Sequence, residues 1–316
     1  MSAGAGIKVP GATVGRGMKS KQARATLLGL GFVSPWLLGF LVFTLYPIFA
    51  SLYYSFCDYR VLTPPHWVGL RNYVELFTDK EYFLQSLWNT VFMFLELPIA
   101  LAMGLAIALL LNQKLRGMAL FRTLYYIPSV VPTVASAILW LWLLNPDYCL
   151  VNKTLAWLHL PVSAWLTDRV WAKPGFIVMD LWSVGGSMII YLAALQGVPV
   201  HLYEAADLDG ATGWDKLRHV TLPAISPVIF FNLILGVIGT FQYFTQAFVM
   251  GGGGTAGGPA NATLFYALYL YQNAFQYFRM GYACAMAWAL FALTLGASFI
   301  VFRSSARWVY YEGGER

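Results

Sequence analysis

Two acidic side chains interrupt runs that are otherwise apolar: Glu96, in Glu96-Leu97-Pro98, and Asp180. An ionisable group at membrane depth costs about 2.5–3.5 kcal/mol on insertion scales, so each has to face a cavity or a partner. Two uses are open to them, a hydrogen bond to a polar solute or a bond to a neighbouring helix. Hydroxyls and amides gather in the same apolar surroundings. Ser129 and Thr133 stand beside Pro128 and Pro132, Trp182, Ser183 and Ser187 follow Asp180, and Thr240, Gln242, Tyr243, Thr245 and Gln246 form a cluster. Sugars present hydroxyls at their edges and C–H faces on their rings, so amides and hydroxyls beside aromatic platforms suit a pore that passes them. The same residues also read as helix glue from Ser and Thr with an interfacial belt of Tyr and Trp. Catalytic and metal-binding residues are not expected. His66, His159, His201 and His219 are scattered, and Cys57, Cys149 and Cys284 show neither CxxC nor metal-ligand spacing. The glycine run 251–258 has no Lys-Ser/Thr ending and no preceding strand, so it is not a phosphate-binding loop. Energy for any transport then has to come from a partner or a gradient.

These residues need membrane-spanning helices to position them. A chain of 316 residues that is 59% hydrophobic and 11% charged is no ordinary soluble domain, where about a quarter of residues are charged. The composition predicts an all-α membrane protein with six transmembrane helices, near 26–56, 86–111, 123–144, 175–196, 224–250 and 281–302. The first is too long for a cleaved signal and stays as an anchor, with irregularities expected at Pro35 and Pro47. Pro128 and Pro132 bend the third span by freeing two backbone carbonyls. Residues 263–278 read as an amphipathic aromatic helix lying at the outer face. The sixth span, with Ala283, Ala285, Ala287, Ala289, Ala292 and Gly296, reads as a close-packing helix. Residues 1–24 carry Lys8, Arg16, Lys19, Lys21 and Arg24 among glycines and alanines and read as a disordered cytoplasmic tail. Residues 304–316 form a second tail. Thirteen of the 20 Lys and Arg residues fall in the two tails, counting Arg303 with the second, and in loops 112–122 and 197–222, which places both termini in the cytoplasm. The net charge of +6 follows from this topology, so membrane lipid is an expected partner and nucleic acid is not. Cys57 and Cys149 both fall in outer segments, where a disulfide and two unpaired small residues are both open.

Loop 197–222 runs against the charge bias, with Glu204, Asp207, Asp209 and Asp215 against Lys216 and Arg218. A loop that breaks the rule has another job. Glu204-Ala205-Ala206-Asp207-Leu208-Asp209 suits about two helical turns. Gly210 permits a sharp redirection, and Trp214, Leu217 and Val220 at a spacing of three start a second amphipathic helix. Pro223 is expected to open the next span, where its missing N–H does least harm. The product is a helix-turn-helix knuckle between two spans, shaped to be gripped by a partner.

Glu204-Ala205-Ala206, three residues, Gly210, nine residues and then Val220-Thr221-Leu222-Pro223 resembles the EAA loop of ABC importer permeases. Asp209-Gly210-Ala211 matches the fuller carbohydrate-type pattern, while Val220 and Leu217 stand where isoleucine and phenylalanine are commoner. Val68-Gly69-Leu70-Arg71-Asn72-Tyr73, Leu87-Trp88-Asn89-Thr90, Arg122 with Pro128, Arg279-Met280-Gly281-Tyr282-Ala283 and Arg307-Trp308-Val309-Tyr310-Tyr311-Glu312-Gly313 are similar to the same family, the maltose/glycerol-phosphate type of inner-membrane component. The likeness covers nearly all of residues 25–312. It implies a type I ABC importer permease fold with a six-span domain at 25–303 and a coupling loop at 204–223. Glu204, Ala205, Ala206, Asp209, Gly210, Ala211, Val220, Leu222 and Pro223 would then contact an ATP-binding subunit. The implied partners are a second permease subunit in a heterodimer, two ATP-binding subunits that hold ATP and Mg, and an extracytoplasmic solute-binding protein. No cofactor is implied for this chain itself. The implied substrate is a sugar or polyol, crossing a bacterial or archaeal cytoplasmic (inner) membrane beside Glu96, Ser129, Thr133, Trp182, Ser187, Thr240, Gln242, Tyr243 and Gln246. The competing class is an ion-gradient-driven secondary transporter with Glu96 and Asp180 as coupling acids. It calls for inverted repeats and broken midplane helices, and no repeat is visible.

Overall fold

The computed structural model describes residues 15–113, 116–145, 150–251 and 257–310, with side chains from 26 onward. Expectations for residues 1–14, 252–256 and 311–316, and for Cys149 and so its pairing with Cys57, lie outside the described residues. The chain divides into two compact units, 1–53 and 54–316. The first is a single helical line: α1 (Gly15–Phe40), a π turn (Leu41–Leu45) and most of α2 (Tyr46–Ser55). Its apolar stretch Thr26–Ser55 has 30 residues, about 45 Å at the helical rise, and outspans a hydrocarbon core. Pro35 is carried inside α1 without a break. The irregularity falls instead in the π turn, which ends two residues before Pro47. The wider turn takes the carbonyl four residues back out of the way of the proline ring.

The second unit opens with a hairpin in which β1 (Cys57–Asp58) pairs antiparallel with β2 (His66–Trp67). Next come α3 (Arg71–Thr78), α4 (Tyr82–Phe92), a 3₁₀ turn (Met93–Leu95) and α5 (Glu96–Leu111). α6 (Met118–Val130) and α7 (Thr133–Leu143) follow, then α8 (Leu150–Trp157), α9 (Ala172–Trp182) and α10 (Gly185–Gln196). The knuckle is α11 (Val200–Leu208) and α12 (Gly213–Lys216), which passes through a π turn (Leu217–Thr221) into α13 (Leu222–Phe241). α14 (Thr245–Met250), α15 (Tyr266–Tyr271) and α16 (Met280–Ser305) complete the unit. Four helical stretches are long and apolar enough to cross a membrane: Thr26–Ser55, Tyr82–Leu111, Gly213–Met250 and Met280–Ser305. Two bent pairs also qualify when each is taken together, α6 with α7 at 96° and α9 with α10 at 44°.

The third apolar run is therefore not one bent helix. Val131 and Pro132 are both extended, at ψ 129° and 137°, and α7 leaves at nearly a right angle to α6. The residue before proline is barred from helical geometry, so Pro132 ends α6 where Pro128 is merely tolerated. Pro223 likewise does not open a new helix. The helix runs on from Gly213, and the π turn Leu217–Thr221 again ends two residues before the proline. Residues 263–278 do not lie along a face either. Tyr266, Leu268, Tyr269, Gln272, Asn273 and Ala274 are all buried, which leaves no broad polar side. Close packing through the small residues of α16 holds at Gly281 and not at Gly296. Gly281 lies so near the hairpin that a Cβ there would sit 2.1 Å from the Cys57 carbonyl, whereas nothing lies within 4 Å of one at Gly296.

Polar joints explain several motifs that hydropathy leaves unassigned. Asn72 donates to the carbonyls of Ser55 and Cys57, and Tyr73 donates to the Ser55 hydroxyl, so the 68–73 motif clamps α3 to the hairpin. Asn89 donates to the carbonyls of Asn261 and Leu264, and Thr90 accepts from the Tyr266 N–H, so that motif holds the segment entering α15. Two apolar clusters fill the unit. One gathers Phe83, Trp140, Phe176, Tyr243, Phe265 and Tyr266; the other gathers Met188, Tyr191, Leu195 and Ile225 beneath the knuckle.

Candidate functional site

Three helix breaks meet at one cavity of about 320 Å³. The break at Val131–Pro132 brings Ser129 and Thr133, the break at Ser183–Val184 brings Asp180, Trp182 and Ser183, and the break between α13 and α14 brings Gln246. Backbone that leaves the helix at membrane depth is tolerated where it lines a cavity or is buried in protein. Asp180 is the fixed point of the wall. It accepts a 2.6 Å hydrogen bond from the Tyr243 hydroxyl and a longer one, 3.4 Å, from the Gln246 amide. Tyr243 is itself held edge-on against Phe176 and Phe265, with centroids 5.9 and 5.0 Å away. Glu96, the partly buried first residue of α5, stands within electrostatic reach of both Asp180 and Tyr243. The Trp182 ring, partly exposed, meets Trp140 edge-on at 6.1 Å.

The structure thus gathers Glu96, Ser129, Thr133, Trp182, Tyr243 and Gln246 in or beside one cavity, around Asp180, for which both uses were open in the sequence. Three other predicted residues stand apart. Ser187 donates to the Val184 carbonyl and presses on Gly104, where α10 crosses α5. Thr240 donates to the Gly236 carbonyl within its own helix, and Gln242 is exposed at the end of α13. Ser136 and Gly186 line the cavity and were not singled out. The signal for them lay in the helix breakers nearby, Pro132 and the Gly185-Gly186 pair.

Removing the Tyr243 hydroxyl tests the Asp180 anchor directly. Tyr243→Phe is expected to lower unfolding stability in detergent by about 1.5–3 kcal/mol, the range for a buried hydrogen bond to a charged group. In an Asp180→Asn background the same change should cost clearly less, and equal costs in both backgrounds would show that the two side chains do not act together.

The knuckle is a braced, capped turn. Ala211 N–H bonds the Ala206 carbonyl at 2.9 Å and Gly210 N–H bonds the Asp207 carbonyl at 3.1 Å, the paired closure of a Schellman motif. Gly210 supplies the left-handed residue this needs, with φ +74°. Thr212 and Asp215 then cap α12 reciprocally, and hydrogen bonds from the Thr212 hydroxyl and N–H hold the Asp215 carboxyl below the usual carboxylate range. Lys216 pairs with Asp207, and the Tyr203 hydroxyl meets Thr221 at 3.0 Å, so both arms are tied together. Val220 turns inward onto the cluster around Ile225, and Leu222 and Pro223 are partly buried at the start of α13. Glu204, Ala205, Asp209 and Gly210 are exposed, while Ala206 and Ala211 are partly buried at the turn. Leu208 and Trp214, 90% and 66% exposed, form an apolar tip.

Comparison with known proteins agrees with this construction. The profile of the family described as "Binding-protein-dependent transport system inner membrane component" matches residues 96–310. A probable ABC transporter permease protein of Bacillus subtilis, YesP, is 39% identical over 94% of this chain and 96% of its own length. The lactose transport system permease protein LacF of Rhizobium radiobacter is 38% identical over 86% of this chain and 91% of its own. The trehalose/maltose transport system permease protein MalF of Thermococcus litoralis is 31% identical over 90% and 94%. Among solved structures, a chain of a bacterial ABC transporter that imports the acidic polysaccharide alginate superposes with a TM-score of 0.80 at 25% identity, covering 92% of this chain and 99% of that one. With its broken helices, polar cavity and braced knuckle, the chain belongs to the family of inner-membrane components of binding-protein-dependent transport systems.

Proposed function

We propose that this chain is the permease subunit of an ATP-driven carbohydrate importer and forms one half of its translocation pathway. The sugars named for its relatives, lactose and trehalose/maltose, support the substrate class. In this reading the chain spans a bacterial or archaeal cytoplasmic membrane six times, two of the spans being the bent pairs. Both termini, the tails at 1–24 and 304–316 and the knuckle then lie in the cytoplasm. A solute-binding protein delivers the sugar from outside, a related second permease encloses the cavity, and two ATP-binding subunits hold ATP and Mg. The knuckle docks into a cleft on one of them. Because α12 continues through the π turn into α13, motion imposed at the tip is carried along one helix to the break beside Asp180. Access would switch by rigid rocking, as ATP binding favours one arrangement over the other.

The observation that carries this reading is the exposed Leu208 and Trp214 tip on an internally braced turn. Flexible loops do not transmit displacement; braced ones do. In vesicles holding the assembled complex, Leu208→Ala with Trp214→Ala is expected to cut ATP-driven uptake by about tenfold or more, as loss of interface anchors does. Co-purification of the ATP-binding subunit should weaken in step. Stability of the chain should barely change, since both side chains are exposed. Uptake by this chain alone, without an ATPase and indifferent to the double change, would overturn the proposal and make the gradient-driven carrier the leading reading. The broken helices around the cavity are compatible with that class as well.

A further inference from the structure

We infer that this half of the pathway selects by charge: it takes an uncharged or amino-bearing sugar and turns away sugars that carry a carboxylate, sulfonate or phosphate. The inference rests on the reading of the cavity as a sugar path. Its ground is the inventory of donors and acceptors on the wall. Asp180 contributes an acceptor, and the Glu96 carboxyl group stands behind the wall within electrostatic reach of it. The hydroxyls of Ser129 and Ser183 donate to the carbonyls of Tyr126 and Asp180, so their protons are already committed and their oxygens remain as acceptors. The one side-chain amide on the wall, Gln246, spends an N–H on Asp180. Among the described residues lining the cavity there is no lysine, arginine or histidine.

Thr133, Ser136 and Trp182 keep donors of their own. Yet the wall offers carboxyl and hydroxyl oxygens and no cationic side chain, which suits a ligand rich in O–H or N–H donors, as neutral and amino sugars are. An anionic group needs the opposite, several N–H donors or a cation, and here it would meet the oxygens of Asp180 in a space partly shielded from water. The nearest candidate cation from α9, Lys173, is committed elsewhere. Its ammonium donates to Asn89 at 3.1 Å and lies over the Phe92 ring. Specificity of this kind comes from what the site refuses as much as from what it binds.

The test uses the whole importer, reconstituted with its partner subunits and binding protein in proteoliposomes. Neutral disaccharides are offered beside the same disaccharides oxidised to uronic acids at C6. Uptake of each probe is divided by the measured occupancy of the binding protein, so that the discrimination belongs to the membrane part. The neutral member of the transported pair is expected to exceed its uronate by about tenfold or more. Asp180→Asn and Thr133→Lys, which places a cation on the wall, should each shrink that ratio by about threefold or more. Should Asp180→Asn fail to accumulate, Thr133→Lys decides alone, because Thr133 is exposed and leaves the bond between Asp180 and Tyr243 in place. Equal uptake of both members, with Asp180→Asn lowering each, would overturn charge selection and keep the cavity as the path. Preferred uptake of the uronate would overturn it too. A ratio and rates that ignore both variants would remove the cavity from the path altogether.

Discussion

Gly210→Val is expected to cut ATP-driven uptake by the assembled complex about tenfold or more, while Gly210→Asn leaves it within about twofold of wild type. The two side chains differ little in bulk, and bulk is not what matters, because nothing lies within 4 Å of a Cβ built at this position. What matters is φ +74°. A β-branched residue there costs about 1–2 kcal/mol in the left-handed region, whereas asparagine visits it with local hydrogen bonding. The chain escapes that cost by unwinding the turn, which breaks the closure between Ala211 and Ala206 and swings α12 away from α11. The Lys216 to Asp207 pair and the Tyr203 to Thr221 contact then no longer brace the tip. ATP hydrolysis that persists without uptake, or loss of the ATP-binding subunit on purification, would each be the expected signature for valine. If valine and asparagine behave alike, the turn geometry is not what couples the knuckle to transport.

Gly185→Ala and Gly186→Ala should part company even more sharply, though the residues are adjacent. A Cβ at Gly185 would sit 2.1 Å from the Tyr125 carbonyl oxygen and 2.9 Å from the Tyr126 Cα. Both are backbone atoms of α6, so no side chain can rotate away and the two helices have to separate. Overpacking of this kind costs about 1–3 kcal/mol and sometimes more, and here the upper end is expected. At Gly186 the nearest atom is the Ser129 Cβ at 3.9 Å, an ordinary contact. Alanine there should keep or slightly raise stability, because glycine in a helix concedes up to about 1 kcal/mol to alanine and less in the first turn, where Gly186 lies. Accumulation in the membrane and thermal unfolding in detergent read both outcomes. Since α6 and α10 flank the cavity, Gly185→Ala should also lose uptake beyond what its lower abundance explains. Equal tolerance of the two substitutions would mean that α6 and α10 do not cross as closely as described.

How far the chain could be read from its residues depended on whether the property was local. Long apolar runs, helix breakers and a glycine between two short amphipathic stretches are neighbours in sequence, and their consequences are settled within a few turns. For that reason the class of protein, the approximate spans and the knuckle with its turn at Gly210 were legible beforehand. The expectation for 123–144 failed in degree, because proline chemistry predicts a break without saying whether the chain kinks or turns a corner. The surface helix expected at 263–278 failed because its polar residues, Gln272 and Asn273, are buried in a segment packed on α16, a contact that no period in the sequence names.

The roles of the polar residues were decided only in three dimensions. Ser129, Asp180 and Gln246 are far apart along the chain, and nothing in their own segments says that three helix breaks meet at one cavity. The same holds for Ser187 and Thr240, whose hydroxyls are spent on backbone carbonyls, and for Val220, which turns inward while Glu204, Ala205, Asp209 and Gly210 of the same motif stay exposed. By itself the sequence determined a helical membrane protein with a sharp turn at Gly210 between two short helices, because hydropathy and turn propensity act along the chain. Only the tertiary structure decided which acid anchors the cavity and which glycine bears the helix crossing, because those depend on distances between atoms that the chain itself leaves free.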